Sequence, residues 1–352
     1  MTTQEFIGKQ NFTLHTRTVS ESCPSNIALI KYWGKYDNQI PANPSISYTL
    51  NHCKTNTSME FLADETFSVQ TFLSGNEEVK FAEKIEKYFK NIEEYLPWIL
   101  KGKYIIRTEN TFPHSSGIAS SASGFGAIAK CLMKLDMEFS GNQSEDELLR
   151  KASFLARLGS GSACRSLYNG LVVWGTSDEV EESSDLFAVK YPDAEIHEVF
   201  KNFNDWVLLI HEGQKSVSST VGHGLMNTNP YAERRFQEAR DNFVPMKEIL
   251  KIGDMERFIK LVEHEALTLH AMMMMSDPAF ILMKTGTLEV INKIWDFRKK
   301  TGLPLFFTLD AGANVHLLFP NSGSEDKIKS FIETELLQHT QKNGVVKDVM
   351  KF

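Results

Sequence analysis

Residues 112–126, FPHSSGIASSASGFG, form a serine- and glycine-rich stretch that could bind an anion. Apolar residues recur through and beyond it with spacings of four and three, which predicts a helix; they are Ile118, Ala122, Phe125, Ala129 and Leu132. A helix N-terminus leaves backbone N–H groups unpaired, and small side chains let a phosphate reach them. The stretch fits neither a Walker A loop nor a dinucleotide-binding fingerprint. The residues alone therefore leave two interpretations, a phosphate-binding loop and close packing of a helix.

Other residues that could take part in chemistry lie at the ends of apolar segments or in a small-residue loop. An apolar run of four residues is followed by Lys31, and Lys35 comes directly after a glycine. Asp310 ends the apolar segment 303–310 and opens a glycine-containing turn, so its carboxylate is expected at the edge of a strand. Arg165 lies in a loop of small residues, where its planar guanidinium could bind a carboxylate through two hydrogen bonds. Both have structural alternatives, since an aspartate can simply form a turn and an arginine a surface ion pair.

Strand and helix patterns alternate along the chain, which predicts an α+β fold. In the first half, predicted strands cover 25–32, 45–51, 58–63, 67–73 and 104–110, and predicted helices cover 77–96 and 144–159. Ser144 and Glu147 occupy capping-box positions at the start of the second helix, and Gly159 is expected to cap its end. In the second half, strands are predicted at 205–210 and 303–310, with helices between them.

Length and composition limit the class of protein. The 352 residues exceed one ordinary core, so we expect two domains, 1–190 and 191–352. The formal net charge of -7 argues against a nucleic-acid partner, which would need clustered Lys and Arg. No apolar run approaches the roughly 20 residues of a membrane span, so no membrane partner is expected. The four cysteines are far apart and the N-terminus has no apolar signal segment, which predicts reduced thiols in a cytoplasmic protein.

The motifs resemble those of a known family. The order Pro113, Gly117, Ser120, Ser121 and Ala122 resembles the phosphate-binding motif of the GHMP kinase superfamily. Within that superfamily, four segments resemble the mevalonate diphosphate decarboxylases in content and order: NIALIKYWGKYD, GIASSASGFGAIA, GSGSACRSLYNG and LDAGAN. The resemblance implies the two-domain GHMP kinase fold, with an ATP-binding N-terminal domain and the active site in the cleft between the domains.

The resemblance also implies an activity. The family uses ATP and Mg2+ to phosphorylate the 3-hydroxyl of mevalonate 5-diphosphate, and the phosphorylated intermediate loses phosphate and CO2 to give isopentenyl diphosphate and ADP. Two alternatives of the same superfamily are a decarboxylase of the 5-monophosphate and a kinase that stops after phosphorylating the 3-hydroxyl. A non-catalytic binding protein that keeps the fold is an alternative of a different class. The resemblance further implies a homodimer.

Residue roles follow from the matched positions. The resemblance makes Asp310 the group that accepts the proton of the tertiary hydroxyl, with Lys31 beside it to keep the carboxylate ionised. Arg165 would bind the substrate carboxylate. Hydrogen bonds around the substrate would come from the adjacent loop, Ser160, Gly161 and Ser162.

The phosphate groups have their own implied contacts. Tyr32 and Lys35 match the family positions for the 5-diphosphate, and Ser219 and Thr220 match a loop that closes over the same phosphates. The ATP-binding positions are Ser116, Gly117, Ser120, Ser121 and Ser123. No metal ligand is assigned. Lys215 could reach a phosphate or simply be solvated.

Two features of the sequence depart from a known motif. Thr220 stands where some bacterial relatives have an arginine for the terminal phosphate, which leaves the number of substrate phosphates open. His264, Glu265 and His270 do not form a zinc-binding H-E-x-x-H motif, because the second histidine comes two residues too late.

Overall fold

The computed structural model of the chain describes residues 2–113, 118–141, 144–213, 216–321, 323 and 325–352. Two sheets with helices packed against them give the α+β architecture that the sequence predicts. The strands of the first sheet are β1 (Arg17–Ile30), β2 (Ser45–Ala63), β3 (Ser68–Leu73), β4 (Asn76–Glu77), β5 (Gly102–Asn110), β6 (Leu171–Trp174) and β7 (Ala188–Lys190). The strands of the second sheet are β8 (Asn202–Leu208), β9 (Phe306–Leu309), β10 (Val315–Pro320) and β11 (Val345–Lys351).

The first sheet has the order β4-β3-β5-β2-β6-β7, and β1 pairs with β2. All of its pairings are antiparallel except β3 with β5. The helices of this half are α1 (Val79–Asn91), α2 (Ser120–Ser140) and α3 (Glu145–Gly159), followed by a 3-10 helix at Gly161–Leu167. Ser144 and Glu147 form the predicted capping box at the start of α3.

The second sheet is antiparallel throughout, in the order β11-β8-β10-β9. Its helices are α4 (Ser219–Leu225), α5 (Ala232–Asp241), α6 (Phe243–Ile252), α7 (Met255–Met274), α8 (Thr285–Thr301) and α9 (Glu325–Phe331). The first sheet ends with β7 at Lys190 and the second begins at Asn202. A boundary at residue 190 stays a prediction. Among the described residues, none of the helices combines the length and the apolar content of a membrane-spanning segment.

Several predicted boundaries are corrected. The predicted strands 45–51 and 58–63 are one continuous strand, β2, because buried and partly exposed side chains keep alternating between them. β1 begins at Arg17, earlier than predicted, and ends at Ile30, so Lys31 lies in the turn that follows. The helix predicted at 77–96 is shorter, covering Val79–Asn91.

The sequence predicted that Gly159 caps the end of α3, and this prediction is wrong. Gly159 is the last residue of the helix, and Ser160 after it is extended. A Cβ atom on Gly159 would lie 2.1 Å from the ring of Phe125, so glycine is needed here for close packing against α2. Ile118 precedes α2 and is buried, although its spacing placed it on the helix.

Candidate active site

A cavity of about 750 Å³ opens between the two halves of the chain. Residues from both halves line it, from Asn26 to Arg165 and from Ser218 to Ala311. Among the described residues that line the cavity, the cationic side chains are Lys31, Lys35, Lys84, Lys87 and Arg165. The only acidic side chain in that described set is Asp310. The cavity therefore suits a strongly anionic ligand, although the whole chain has a net charge of -7.

Lys31 and Asp310 lie at this cavity at the ends of two strands, β1 and β9. Lys31 is 1% exposed, and the described residues provide no hydrogen-bond partner for its Nζ. Burial lowers the pKa of Lys31 to about 8, and the charge of Asp310 is the largest of the effects that oppose this. The Asp310 side chain is half-buried. The two residues thus form an electrostatic pair, with the lysine held inside the protein and the carboxylate at the cavity.

Arg165 is buried in the 3-10 helix that follows α3, so its interpretation as a surface ion-pair residue is wrong. Its Nη1 donates a hydrogen bond to Ser45 Oγ at 2.7 Å, and its Nε donates to Ser47 Oγ at 3.0 Å. In the part of the chain that the structure describes, no carboxylate forms an ion pair with it. Because a buried cation needs a counter-charge, this guanidinium is set up to bind an anionic ligand.

The turn after β1 holds the other predicted substrate contacts. Gly34 has a φ of +105°, and a Cβ there would lie 2.5 Å from the Phe236 ring, so this turn requires glycine. Lys35 is half-buried, and its Nζ donates to Gln39 Oε1 at 2.8 Å. The Tyr32 ring packs against Trp174 with centroids 4.6 Å apart. Both Tyr32 and Lys35 line the cavity.

The small-residue loops of the first half meet at the cavity. Ser120 and Ser121 begin α2, and the hydroxyl of Ser160 donates to that of Ser121 at 3.3 Å. Gly161 allows the loop to approach Tyr32, since a Cβ there would lie 2.7 Å from the tyrosine oxygen. The predicted residues that line the cavity from these loops are Ser120, Ser121, Ser160, Gly161 and Ser162.

Ser123 does not reach the cavity, which corrects its predicted role in ATP binding. Its side chain is completely buried against β2, where its hydroxyl lies 2.6 Å from that of Thr55. It also donates to the carbonyl of Ser120 at 3.3 Å. A hydroxyl that is committed to two internal partners fixes the helix on the sheet. The predicted residues Ser116, Gly117 and Lys215 lie outside the described part of the chain.

The predicted loop of Ser219 and Thr220 is the first turn of α4, and both residues line the cavity. Ser218 caps this short helix, because its hydroxyl accepts the N–H of Val221 at 3.3 Å. One turn further along, His223 is buried and also lines the cavity.

Two lysines at the cavity were missed by sequence reasoning. Lys84 and Lys87 lie on α1, where charged residues on an amphipathic helix are typical of a solvated surface. Lys84 stays solvent-accessible, but the protein around it removes enough water to lower its pKa, and the charge of Lys35 lowers it further. The Nζ of Lys84 lies 4.8 Å from the centroid of the Phe125 ring. Only the packing of α1 against α2 and α3 brings these lysines to the site.

Two residues of α7 form hydrogen bonds with the backbone of Lys31 and Asp310. Glu265 accepts the backbone N–H of Lys31 at 2.8 Å and pairs with the buried Arg235. His270 Nε2 donates to the backbone carbonyl of Asp310 at 3.0 Å. Glu265 and His270 belong to the segment that does not form a zinc-binding motif. Sequence patterns could not predict their contacts, because their partners lie far away along the chain.

The comparison with protein families gives two matches that together span most of the chain. Residues 23–186 match a family described as the diphosphomevalonate decarboxylase-like N-terminal domain. Residues 206–351 match the mevalonate 5-diphosphate decarboxylase C-terminal domain. The chain belongs to the diphosphomevalonate decarboxylase family. Among curated members of the family, that of Schizosaccharomyces pombe is 33% identical over 325 residues, covering 86% of this chain and 79% of the relative. That of Saccharomyces cerevisiae is 31% identical over 340 residues, covering 90% and 81%.

Solved structures of diphosphomevalonate decarboxylases have the same fold. The Staphylococcus aureus enzyme is 30% identical, with a TM-score of 0.79 over 95% of this chain and 96% of its own. A structure described as "MDDEF in complex with MVAPP, AMPPCP and Magnesium" is 27% identical, with a TM-score of 0.79 over 95% and 97%. The two-domain GHMP kinase fold predicted from the motifs is therefore confirmed for this family member.

Proposed function

We propose that this chain catalyses the ATP-dependent decarboxylation of mevalonate 5-diphosphate to isopentenyl diphosphate, ADP, phosphate and CO2. The observation that carries the proposal is the cavity, where five cationic side chains and a single described carboxylate come together. Mevalonate 5-diphosphate brings a carboxylate and two phosphates, and ATP brings three more phosphates. A relative bound to MVAPP, AMPPCP and magnesium supports the same ligands here.

Asp310 is the group that receives the proton of the tertiary hydroxyl. An alcohol holds its proton too tightly for a carboxylate to remove it in advance, so the proton moves as the hydroxyl oxygen attacks the γ-phosphorus of ATP. The hydrogen bond from His270 to the Asp310 carbonyl fixes the turn that carries this carboxylate. Lys31 provides a buried cation whose charge interacts with that of Asp310 and stabilises negative charge around the reacting oxygen.

Arg165 orients the substrate carboxylate for its departure. When phosphate leaves C3, the electron pair of the bond between C1 and C2 becomes the double bond between C2 and C3, and C1 leaves as CO2. The hydroxyls of Ser45 and Ser47 accept hydrogen bonds from Nη1 and Nε of Arg165, whereas no described residue accepts a hydrogen bond from its Nη2. These neutral hydroxyls fix the guanidinium without neutralising it, so its charge remains available to the substrate.

The 5-diphosphate binds at the turn after β1 and at the start of α4. Lys35 supplies the positive charge, and hydroxyl donors come from Tyr32, Ser219 and Thr220, all of which line the cavity. The loop of Ser160, Gly161 and Ser162 contacts both regions, since Gly161 packs closely against Tyr32 and the Ser160 hydroxyl donates to that of Ser121. Thr220, which stands where some bacterial relatives have an arginine, carries no charge. The terminal phosphate of the substrate therefore depends on Lys35 for positive charge and on neutral hydroxyl donors.

ATP binds at the N-terminus of α2, where Ser120 and Ser121 line the cavity and Ser116 and Gly117 are predicted to continue the loop. Lys84 and Lys87 also line the cavity, and Lys84 lies over the ring of Phe125 on α2, so we assign both lysines to the phosphates of ATP. The described residues contain no cluster of three metal-binding side chains. Mg2+ keeps several waters and binds mainly through substrate phosphates, so the phosphates of ATP would hold it, and the Ser121 hydroxyl and the Asp310 carboxylate at the cavity are the side chains that would complete its ligands. When bound, Mg2+ neutralises phosphate charge during transfer.

The decisive experiment supplies ATP and Mg2+ together with mevalonate, its 5-phosphate or its 5-diphosphate, and measures ADP and CO2 separately. We expect equal amounts of ADP and CO2 with the 5-diphosphate. CO2 released only from the 5-monophosphate would favour the monophosphate decarboxylase, and ADP without CO2 would favour the 3-hydroxyl kinase. Neither product from any substrate would contradict the proposal and favour a non-catalytic binding protein.

Homodimer formation stays a prediction from the family resemblance, and cytoplasmic location stays a prediction from the cysteine spacing and the N-terminal sequence. Light scattering coupled to size-exclusion chromatography tests the first directly, since a dimer has twice the 40.0 kDa of the chain. A monomer at micromolar concentration would contradict it.

A further inference from the structure

His223 makes direct contacts with the turn that follows β1. Its Nδ1 accepts the backbone N–H of Gly34 at 2.9 Å. Its ring lies 4.4 Å from the Tyr32 ring and 4.5 Å from the Trp33 ring, measured between centroids. The histidine is on α4, in the second half of the chain, and the turn is in the first half. One side chain therefore joins two walls of the cavity.

The hydrogen bond fixes the protonation state of His223. A nitrogen that accepts a backbone N–H cannot carry a proton, so Nδ1 is bare and the neutral ring has its proton on Nε2. Burial lowers the pKa of His223 to about 3, and the charge of Lys35 lowers it further in the same direction. The imidazole thus remains a hydrogen-bond acceptor throughout the physiological pH range.

The neighbouring residues show that this contact is closely packed. A Cβ on Gly222 would lie 2.7 Å from the Trp33 ring, so glycine lets α4 approach the indole. Trp33 is 3% exposed. A Cβ on Gly34 would lie 2.5 Å from the Phe236 ring, so the turn also approaches α5 closely. The turn has little room to move as long as His223 holds it.

We propose that His223 is a positioning residue, which fixes the turn carrying Tyr32 and Lys35 against the helix carrying Ser219 and Thr220. The inference rests on the proposed function, because these four residues are the ones assigned to the 5-diphosphate. The two groups of phosphate contacts come from different halves of the chain, and a diphosphate can use both only when their separation is fixed. The contact of His223 with Gly34 sets that separation.

The test compares variants that separate the acceptor from the packing. His223→Asn places an amide oxygen near the position of Nδ1, whereas His223→Phe keeps an aromatic ring and has no acceptor. His223→Leu removes both and serves if the phenylalanine variant does not fold. Val221→Ala is the matched control, because Val221 is on the same helix and is 55% exposed.

We expect the phenylalanine and leucine variants to raise KM for the 5-diphosphate about 10-fold, which corresponds to about 1.4 kcal/mol. Their kcat and their KM for ATP should stay within a few-fold of the wild type. The asparagine variant should restore KM, and the control should not differ from the wild type. A general loss of stability would instead lower the melting temperature and affect both substrates, which would overturn the inference. So would asparagine and phenylalanine variants with the same KM, or variants without any effect.

Calorimetric titration with inorganic pyrophosphate measures binding without catalysis, so it tests the role of His223 separately from the proposed function. Wild-type protein that releases no CO2 would contradict the function, and pyrophosphate binding would still test His223. Weaker pyrophosphate binding in the phenylalanine variant, recovered in the asparagine variant, supports the positioning role. Equal affinity in all variants contradicts it.

Discussion

Replacing Lys31 by methionine should stabilise the protein while it abolishes most of the activity. Methionine nearly matches the lysine chain in length but carries no charge. The lysine is 1% exposed and its Nζ has no hydrogen-bond partner among the described residues. The folded protein therefore holds a cation that has lost its water shell, with only partial compensation from Asp310 and Glu265.

The size of the effect follows from the pKa of Lys31, which falls from 10.5 to about 8 on folding. Each pKa unit corresponds to about 1.36 kcal/mol, so keeping this side chain charged costs the folded state about 3 kcal/mol at pH 7. Lys31→Met removes that cost. The melting temperature should rise by about 4 °C, because a chain of 352 residues has a large unfolding entropy. At the same time kcat should fall by about 100-fold or more, because a preorganised charge beside the reacting oxygen is lost.

The pH dependence gives an independent check. Between pH 8 and 10.5 the folded wild type releases the Lys31 proton while the unfolded chain keeps it. Since the unfolded state then binds more protons, wild-type stability rises with pH over this interval. The difference in free energy of unfolding between the methionine variant and the wild type should therefore become smaller as the pH rises. The wild-type kcat/KM should decline above about pH 8, as the free enzyme loses the charge on Lys31.

Urea unfolding of both proteins at pH 7 and pH 10 measures the stability difference, and Lys35→Met is the matched control. Lys35 is half-buried and bonded to Gln39, so its removal should give little or no stabilisation. A Lys31→Met variant that is less stable than the wild type at pH 7, or a difference that does not change with pH, would refute the electrostatic reasoning.

Four further substitutions test the site. Asp310→Asn should lower kcat about 100-fold or more with KM nearly unchanged, as single-turnover kinetics can show; a near-normal rate would remove it from proton transfer. Arg165→Lys should lower kcat/KM by about 10- to 100-fold, because one charge-assisted hydrogen bond of about 1.5–3 kcal/mol is lost, and unchanged kinetics would contradict carboxylate binding. Glu265→Gln leaves the buried Arg235 without its counter-charge and should destabilise the protein by about 3–5 kcal/mol in urea unfolding, whereas wild-type stability would show that the pair is not essential. Lys84→Met should raise KM for ATP several-fold without changing KM for the 5-diphosphate; the reverse pattern would place Lys84 at the other substrate.

The sequence predicted those parts of the site that depend on local pattern. Lys31 and Asp310 were found because each ends an apolar strand, and strand ends are where side chains meet a cleft. The capping box of Ser144 and Glu147 was found because both of its hydrogen bonds form within one helical turn. The family motifs added the link between segments far apart in the chain.

Features that depend on tertiary packing could not be predicted. Ser123 belongs to the same serine-rich motif as Ser121, yet the rotation of α2 on the sheet buries the former and leaves the latter at the cavity. Lys84 looks like any exposed lysine until α1 is placed beside α2. Glu265 accepts its hydrogen bond from the backbone of Lys31, more than two hundred residues earlier in the chain. Patterns in a single sequence carry no information about contacts at that separation.

The way in which the buried cations are held explains how the site remains available to its ligands. Arg165 is fixed by hydroxyls of Ser45 and Ser47, and the charge of Lys31 reaches Asp310 without a direct hydrogen bond. Carboxylate partners would have made the fold more stable, but the substrate would then have to displace them. Neutral acceptors position the guanidinium and leave its charge uncompensated, so part of the cost of burying it is recovered only when an anion binds. The stability gain expected for Lys31→Met and the loss of activity expected with it are consequences of the same arrangement.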